Sequence, residues 1–283
     1  MEPLLVIIVL CSATMHASWN ALIKMGEDRL LAMAVVITIT ALLSPILILT
    51  SPIPAMASWP YLLASVLLNN AYFFFLIEAY RSGDLSHAYP LARGSAPLLV
   101  AGGGALFASE HLNLVELIGV AIVSTGIVSL IAARNSNGVR GWRSVFYPLA
   151  TGVMIATYTV VDGIGVRLSG SPTGYIGWLF LLFAIPIAII AARARRGQVR
   201  TFLRHNWKSA LGAGVLNFSS YGLAIFALSL GAMAHVSALR ETSVILAVLI
   251  GTRVLGEPFG PIRLAAACLV TVGVITIHLG ASA

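Results

Sequence analysis

The stretch LLAMAVVITITALLSPILILTSPIPAMASWPYLLASVLLNNAYFFFLI, residues 30–77, contains no Asp, Glu, Lys or Arg. A helix that crosses a bilayer takes about 20 mainly apolar residues, so this run holds two spans. Ser51-Pro52-Ile53-Pro54 supplies the turn that divides them. Working outward by the same rule yields ten apolar runs, with approximate limits 3–23, 30–50, 60–80, 86–107, 112–133, 144–166, 173–192, 208–229, 234–254 and 262–280. The 283-residue chain is 59% hydrophobic and 10% charged, whereas soluble domains average about 25% charged. That balance excludes an ordinary soluble enzyme and a disordered chain, and makes lipid the expected solvent. Glu2, with no basic residue ahead of the first apolar run, argues against a cleaved signal peptide.

The net charge of +7 would suggest nucleic acid in a soluble protein. Here the basic residues sit in short gaps between apolar runs and no aromatic-interleaved patch exists, so orientation in the bilayer is the expected role and nucleic acid is not an expected partner. Fourteen Lys and Arg, including Arg81, Arg143, Arg204 and Lys208, fall on the side of the loops that follow odd-numbered spans, against Arg167 alone on the other. The positive-inside rule then makes those loops cytoplasmic and puts both termini outside. Cys11 and Cys268 lie within apolar runs and read as small hydrophobes, with no disulfide or metal site expected.

Shifting the sequence by 148 residues lays Trp59 on Trp207, Asn69 on Asn217, Gly83 on Gly231, His87 on His235 and Ser95 on Ser243. Trp, Asn and His are scarce here, so their coincidence at one offset carries more weight than matches of Leu or Ala. After a one-residue gap Glu110 falls on Glu257 and Gly126 on Gly273. Two five-helix halves result, 1–135 and 144–283. Because five is odd, the second half enters the membrane from the opposite side. The expected fold is therefore an all-α integral membrane protein of ten transmembrane helices arranged as two inverted five-helix repeats, an architecture associated with alternating access to a central site.

Ionisable and amide groups at membrane depth are costly and mark candidate sites. Arg93 and Arg240 lie at nearly equivalent places in the fourth and ninth spans; two guanidiniums near a cavity would suit a carboxylate or phosphonate. Asp162 with Tyr158, and Glu241 beside Arg240, are candidates for a charge network, a cargo ammonium or a coupling proton. His16, Trp19 and Asn20 cluster in the first span, where His16 and Asn20 share a face. Asn69, Asn217 and Tyr221 are candidate binding groups on the third and eighth spans, and Glu78 a candidate member of the charge network. His87 and His235 open the fourth and ninth spans near opposite faces, too far apart to share a metal, and read as gating residues. Gly102-Gly103-Gly104 reads as a close helix contact.

His16-Ala-Ser-Trp19-Asn20-Ala, Glu110 leading to Gly119 and Gly126, and Gly256-Glu257-Pro258 leading to Gly273 resemble the drug/metabolite transporter superfamily, in its ten-helix EamA-type branch. The resemblance spans essentially the whole chain, with Ser109 and Ala266 standing where that family usually has Gly. It implies a transporter of amino acids or other small metabolites, and cytoplasmic termini where the charge count puts them outside. The combined expectation is a secondary transporter in the inner membrane that moves a small anionic or zwitterionic metabolite outward, with no cofactor, metal or covalent chemistry. The alternatives are a membrane-embedded enzyme, which would alter its substrate, and a non-transporting scaffold.

Overall fold

The computed structural model describes residues 2–24, 29–82, 85–129, 142–194, 198–246 and 261–280. The described residues are helical apart from their connections: α1 (Pro3–Lys24), α2 (Arg29–Thr50), a 3-10 turn (Met56–Ser58), α3 (Trp59–Ser82), α4 (Leu85–Phe107), α5 (Leu114–Ser129), α6 (Arg143–Leu168), α7 (Pro172–Ala194), α8 (Gln198–Leu230), α9 (Met233–Arg240), α10, described over 242–246, and α11 (Pro261–Gly280). Six segments within them are long and apolar enough to cross a bilayer, and Leu91–Phe107, Leu114–Ser129 and Ala265–Gly280 are shorter apolar helices. The outward faces carry large apolar side chains such as Leu42 (72% exposed), Leu49 (84%) and Leu106 (80%). Apolar surface of that extent belongs against lipid, and the chain is a multi-pass membrane protein.

Three boundaries differ from expectation. The eighth span begins at Gln198 instead of 208, because Arg and Lys are good helix formers and no Pro or Gly intervenes between 198 and 208. The fifth begins at Leu114 behind a reciprocal cap, in which Asn113 Oδ1 accepts from the Glu116 N–H (2.9 Å) and Glu116 Oε2 from the Asn113 N–H (2.7 Å); residues 130–133 lie outside the described part. The ninth is not continuous. Helical pairing stops after Arg240, where the Glu241 N–H reaches back only to Ala238 (3.1 Å) and its carbonyl accepts from Val244 (2.9 Å); 247–254 lie outside the described residues.

Small residues set the helix contacts. A Cβ on Gly119 would come within 2.9 Å of the Gly273 carbonyl, and one on Gly273 within 2.8 Å of the Gly119 carbonyl, so α5 and α11 cross backbone to backbone. Gly126 lies 3.2 Å, by the same measure, from the carbonyl of Ala266. The Ala266 departure is thus accommodated by the glycine opposite it. Gly152 brings α6 against α4 at the Ala92 carbonyl (2.8 Å), and of the glycine triplet Gly103 meets Val160 and Gly104 meets Glu110. Ser12 and Ser220 exchange hydroxyl-to-carbonyl bonds of 2.7 and 2.8 Å between α1 and α8.

The connections sort into two ends. At one, the Ala55 N–H bonds the Ser169 carbonyl (2.9 Å), Ser51 bonds Thr173 (2.8 Å), and Trp59 packs on Trp178. At the other, the Ser82 hydroxyl bonds the Arg143 carbonyl (3.2 Å). Exposed Arg81, Arg143, Arg193, Arg204 and Lys208 belong to this second end, where Trp142 and Trp207 lie beneath Arg143 and Lys208. The first end carries Arg167.

Candidate functional site

The innermost polar groups of the bundle come from α4, α6, α8 and α9. They meet at a cavity lined by Arg93, Tyr158, Thr159, Asp162, Tyr221, Ser237, Arg240 and Glu241, closed on its apolar side by Ile155, Ile225, Leu228 and Val236. The space open to water centres is about 10 Å³, room for roughly one water molecule. Any metabolite would need the helices to part.

Each charge is held differently. Arg93, on α4, meets Glu241 with both prongs of the carboxylate: Nε to Oε2 at 3.1 Å and Nη2 to Oε1 at 2.9 Å. Both side chains are nearly dry, at 8% and 2% exposure, and an ion pair held by a charge-assisted hydrogen bond offsets part of the cost of burial. Glu241 therefore neutralises an arginine of another helix and not its chain neighbour Arg240. Asp162, fully buried on α6, accepts the Tyr175 hydroxyl on one oxygen (3.1 Å) and the Tyr221 hydroxyl on the other (2.9 Å), with Ser65 as a further donor. Hydroxyl donors compensate the charge without cancelling it.

Arg240 ends α9, where a cation favours the helix C-terminus. It makes no ion pair among the described residues, and its Nε–H is buried without a hydrogen-bond partner. Tyr158, Tyr221, Arg93 and Glu241 surround it. A buried donor left open costs roughly 1–3 kcal/mol.

Of the other expected residues, Asn69 joins the cavity wall indirectly: it donates to Ser65 (3.1 Å to the hydroxyl) and accepts from Tyr221 (3.3 Å). His16 stands edge-on to Trp19 at 5.3 Å, within electrostatic reach of Arg93 and Arg240. Trp19 itself packs with Ala32, Val36 and Ala213, away from the cavity lining. Asn20 donates to the His16 carbonyl (2.8 Å) one turn back along its own helix, and Asn217 donates to Thr40 (3.0 Å), tying α8 to α2. Glu78 pairs with exposed Arg81 (2.8 Å) at the end of α3 and so stands outside the central charge network. His235 faces away from the cavity lining and meets buried Glu116 (3.0 Å); the His87 side chain lies outside the described part.

Sequence reasoning missed Tyr175, Ser65 and Glu116, as well as a second constellation at the Arg167 end. There Arg167 donates to Glu110 (2.6 Å) and to the carbonyls of Leu228 and Gly231, while Glu110 accepts the N–H of Met233, the first residue of α9. The signal was available in Glu110, whose match with Glu257 marks a position used twice.

Residues 142–279 match the EamA-like transporter family. Among curated proteins none matches the chain. A solved structure described as "Crystal structure of protein" superimposes with a TM-score of 0.74 at 17% identity, covering 98% of this chain and 96% of the other. At that identity the likeness concerns the fold.

Proposed function

From the match of residues 142–279 to the EamA-like transporter family we propose that this protein is a secondary transporter of the inner membrane that carries a small anionic or zwitterionic, amino-acid-like metabolite outward by alternating access. One observation carries the proposal: a closed polar cavity inside a lipid-facing bundle holds an arginine whose buried donor is open. Arg240 receives the cargo's acidic group, and Asp162, between Tyr221 and Tyr175, meets an ammonium or a coupling proton. Tyr158 and Tyr221 shape the wall.

The halves 1–135 and 144–283 act as inverted repeats. Support comes from how the helices pair. Arg93 and Glu241 are 148 residues apart, the offset that superimposes the halves, and they touch. Likewise α2 packs on its counterpart α7, α4 on α9 and α5 on α11, while α1 against α8 mirrors α6 against α3. Contacts between counterparts are what a two-fold relation produces at its axis. The axis then runs through the cavity, as a carrier that opens to either face requires. Gating falls to the helix starts, with His235 on Glu116 at one face and His87 at the other. The basic end faces the cytoplasm, with both termini outside.

The test uses purified protein in detergent, heated with a panel of amino acids, phosphonates and carboxylates. A ligand of the folded state raises the apparent Tm by mass action. A hit that also shows saturable counterflow in liposomes, lost in Arg240→Gln, is the expected result. Flux that never saturates, or that is unchanged in Arg240→Gln, overturns the proposal.

A further inference from the structure

Four ionised side chains line the cavity, and they are not equivalent. Both oxygens of Glu241 are engaged by Arg93, at 3.1 and 2.9 Å, so this pair contributes no net charge to a ligand. Asp162 has both oxygens occupied by tyrosine hydroxyls and makes no ion pair among the described residues. Arg240 makes no ion pair among the described residues, and its Nε–H is buried without a partner.

We infer that Glu241 is the residue that sets charge selectivity: by neutralising Arg93 it leaves one available guanidinium, so the site takes cargo with one acidic group and rejects cargo with two. This rests on the reading of the cavity as the cargo site. A second carboxylate on the same small molecule would sit among Asp162 and the Glu241 oxygens. Like charges in a dry site repel far more strongly than in water, whereas a single carboxylate or phosphonate monoanion meets Arg240 without that opposition. Without the Glu241 charge, Arg93 becomes a second cation in the same lining, and the preference inverts. Glu241 does this without touching cargo, as a positioning residue for Arg93.

The experiment measures apparent Kd, from the concentration dependence of Tm, for lactate and alanine, with one carboxylate, against malate and aspartate, with two. Wild-type protein is expected to favour the one-acid probes. Glu241→Gln is expected to shift the ratio toward the two-acid probes by about tenfold or more, the effect of one added charge-assisted contact. A ratio within twofold of wild type overturns the inference. Should Glu241→Gln not fold, the double variant Arg93→Leu/Glu241→Leu supplies the answer: with one arginine left and no carboxylate to set, it is expected to keep binding one-acid probes through Arg240, and loss of that binding in folded protein overturns the inference. Wild-type protein that binds none of the four probes overturns the cargo-site reading itself; binding without preference between the classes overturns only the role of Glu241.

Discussion

Arg93→Ala would strand Glu241 in a dry interior. Breaking a buried pair from one side costs about 3–5 kcal/mol, so this variant is expected to lose thermal stability in detergent, while Arg93→Leu/Glu241→Leu recovers most of it. An Arg93→Ala protein as stable as wild type would show that the pair is not desolvated. Ser109 gives the opposite sign. Its φ is +52°, it follows α4, and the Glu110 N–H beyond it bonds the Gly104 carbonyl (3.1 Å), so it occupies the left-handed position that closes a helix. A side chain there costs roughly 1 kcal/mol, and Ser109→Gly is expected to raise Tm. The family resemblance implies Gly at this position, and the positive φ is a physical reason for it. Arg93, Arg240, Asp162 and Tyr221 are legible because ions in apolar runs are rare. Their partnerships are not: which carboxylate an arginine meets depends on helix rotation, and Glu116 looks in sequence like any acid in a first helical turn.

At the scale of elements, the α5–α11 crossing is a backbone-to-backbone constraint. Gly119→Val places branched carbons where the Gly273 carbonyl lies within 2.9 Å of even a Cβ, and overpacking of this kind typically costs about 1–3 kcal/mol. The expected outcome is a lower Tm with cargo specificity intact; a Tm equal to wild type would mean that the helices separate freely. Among the described residues, most apolar runs are legible as single helices because each is bounded by turns or charges. The break at Glu241 is not, since no Pro or Gly marks it and the apolar pattern runs through. Tertiary pairing with Arg93 outweighs local propensity there, and interrupted helices recur at the binding sites of carriers. The early start of α8 was hidden by its cations, which read as a loop when only hydropathy is counted.

For the whole molecule, the two ends differ in charge more than the formal count suggests. The lone arginine of one end, Arg167, is neutralised by Glu110, so that end has no free cation among its described residues, while the other exposes Arg143, Arg193, Arg204 and Lys208 besides Arg81, which pairs with Glu78. In a chain whose native cysteines are replaced, a cysteine at His111 is expected to react with an impermeant maleimide on intact cells, and one at Lys208 only after permeabilisation. The reverse pattern would overturn the proposed orientation. Membrane class and the approximate positions of the apolar helices are readable from one sequence because lipid imposes their length. The cavity is not, because it forms where helices distant in the chain converge.

The contact between Arg93 and Glu241 also bears on ancestry. If the halves descend from one gene whose product paired with itself across a two-fold axis, both sides of that contact were once the same amino acid, and an ionised residue there would have faced its own like charge. A complementary couple at such a point requires two different residues, and so a single fused polypeptide whose halves mutate independently. Duplication and fusion would then have permitted a neutral axis, and with it a cavity that reserves its charge for the passenger.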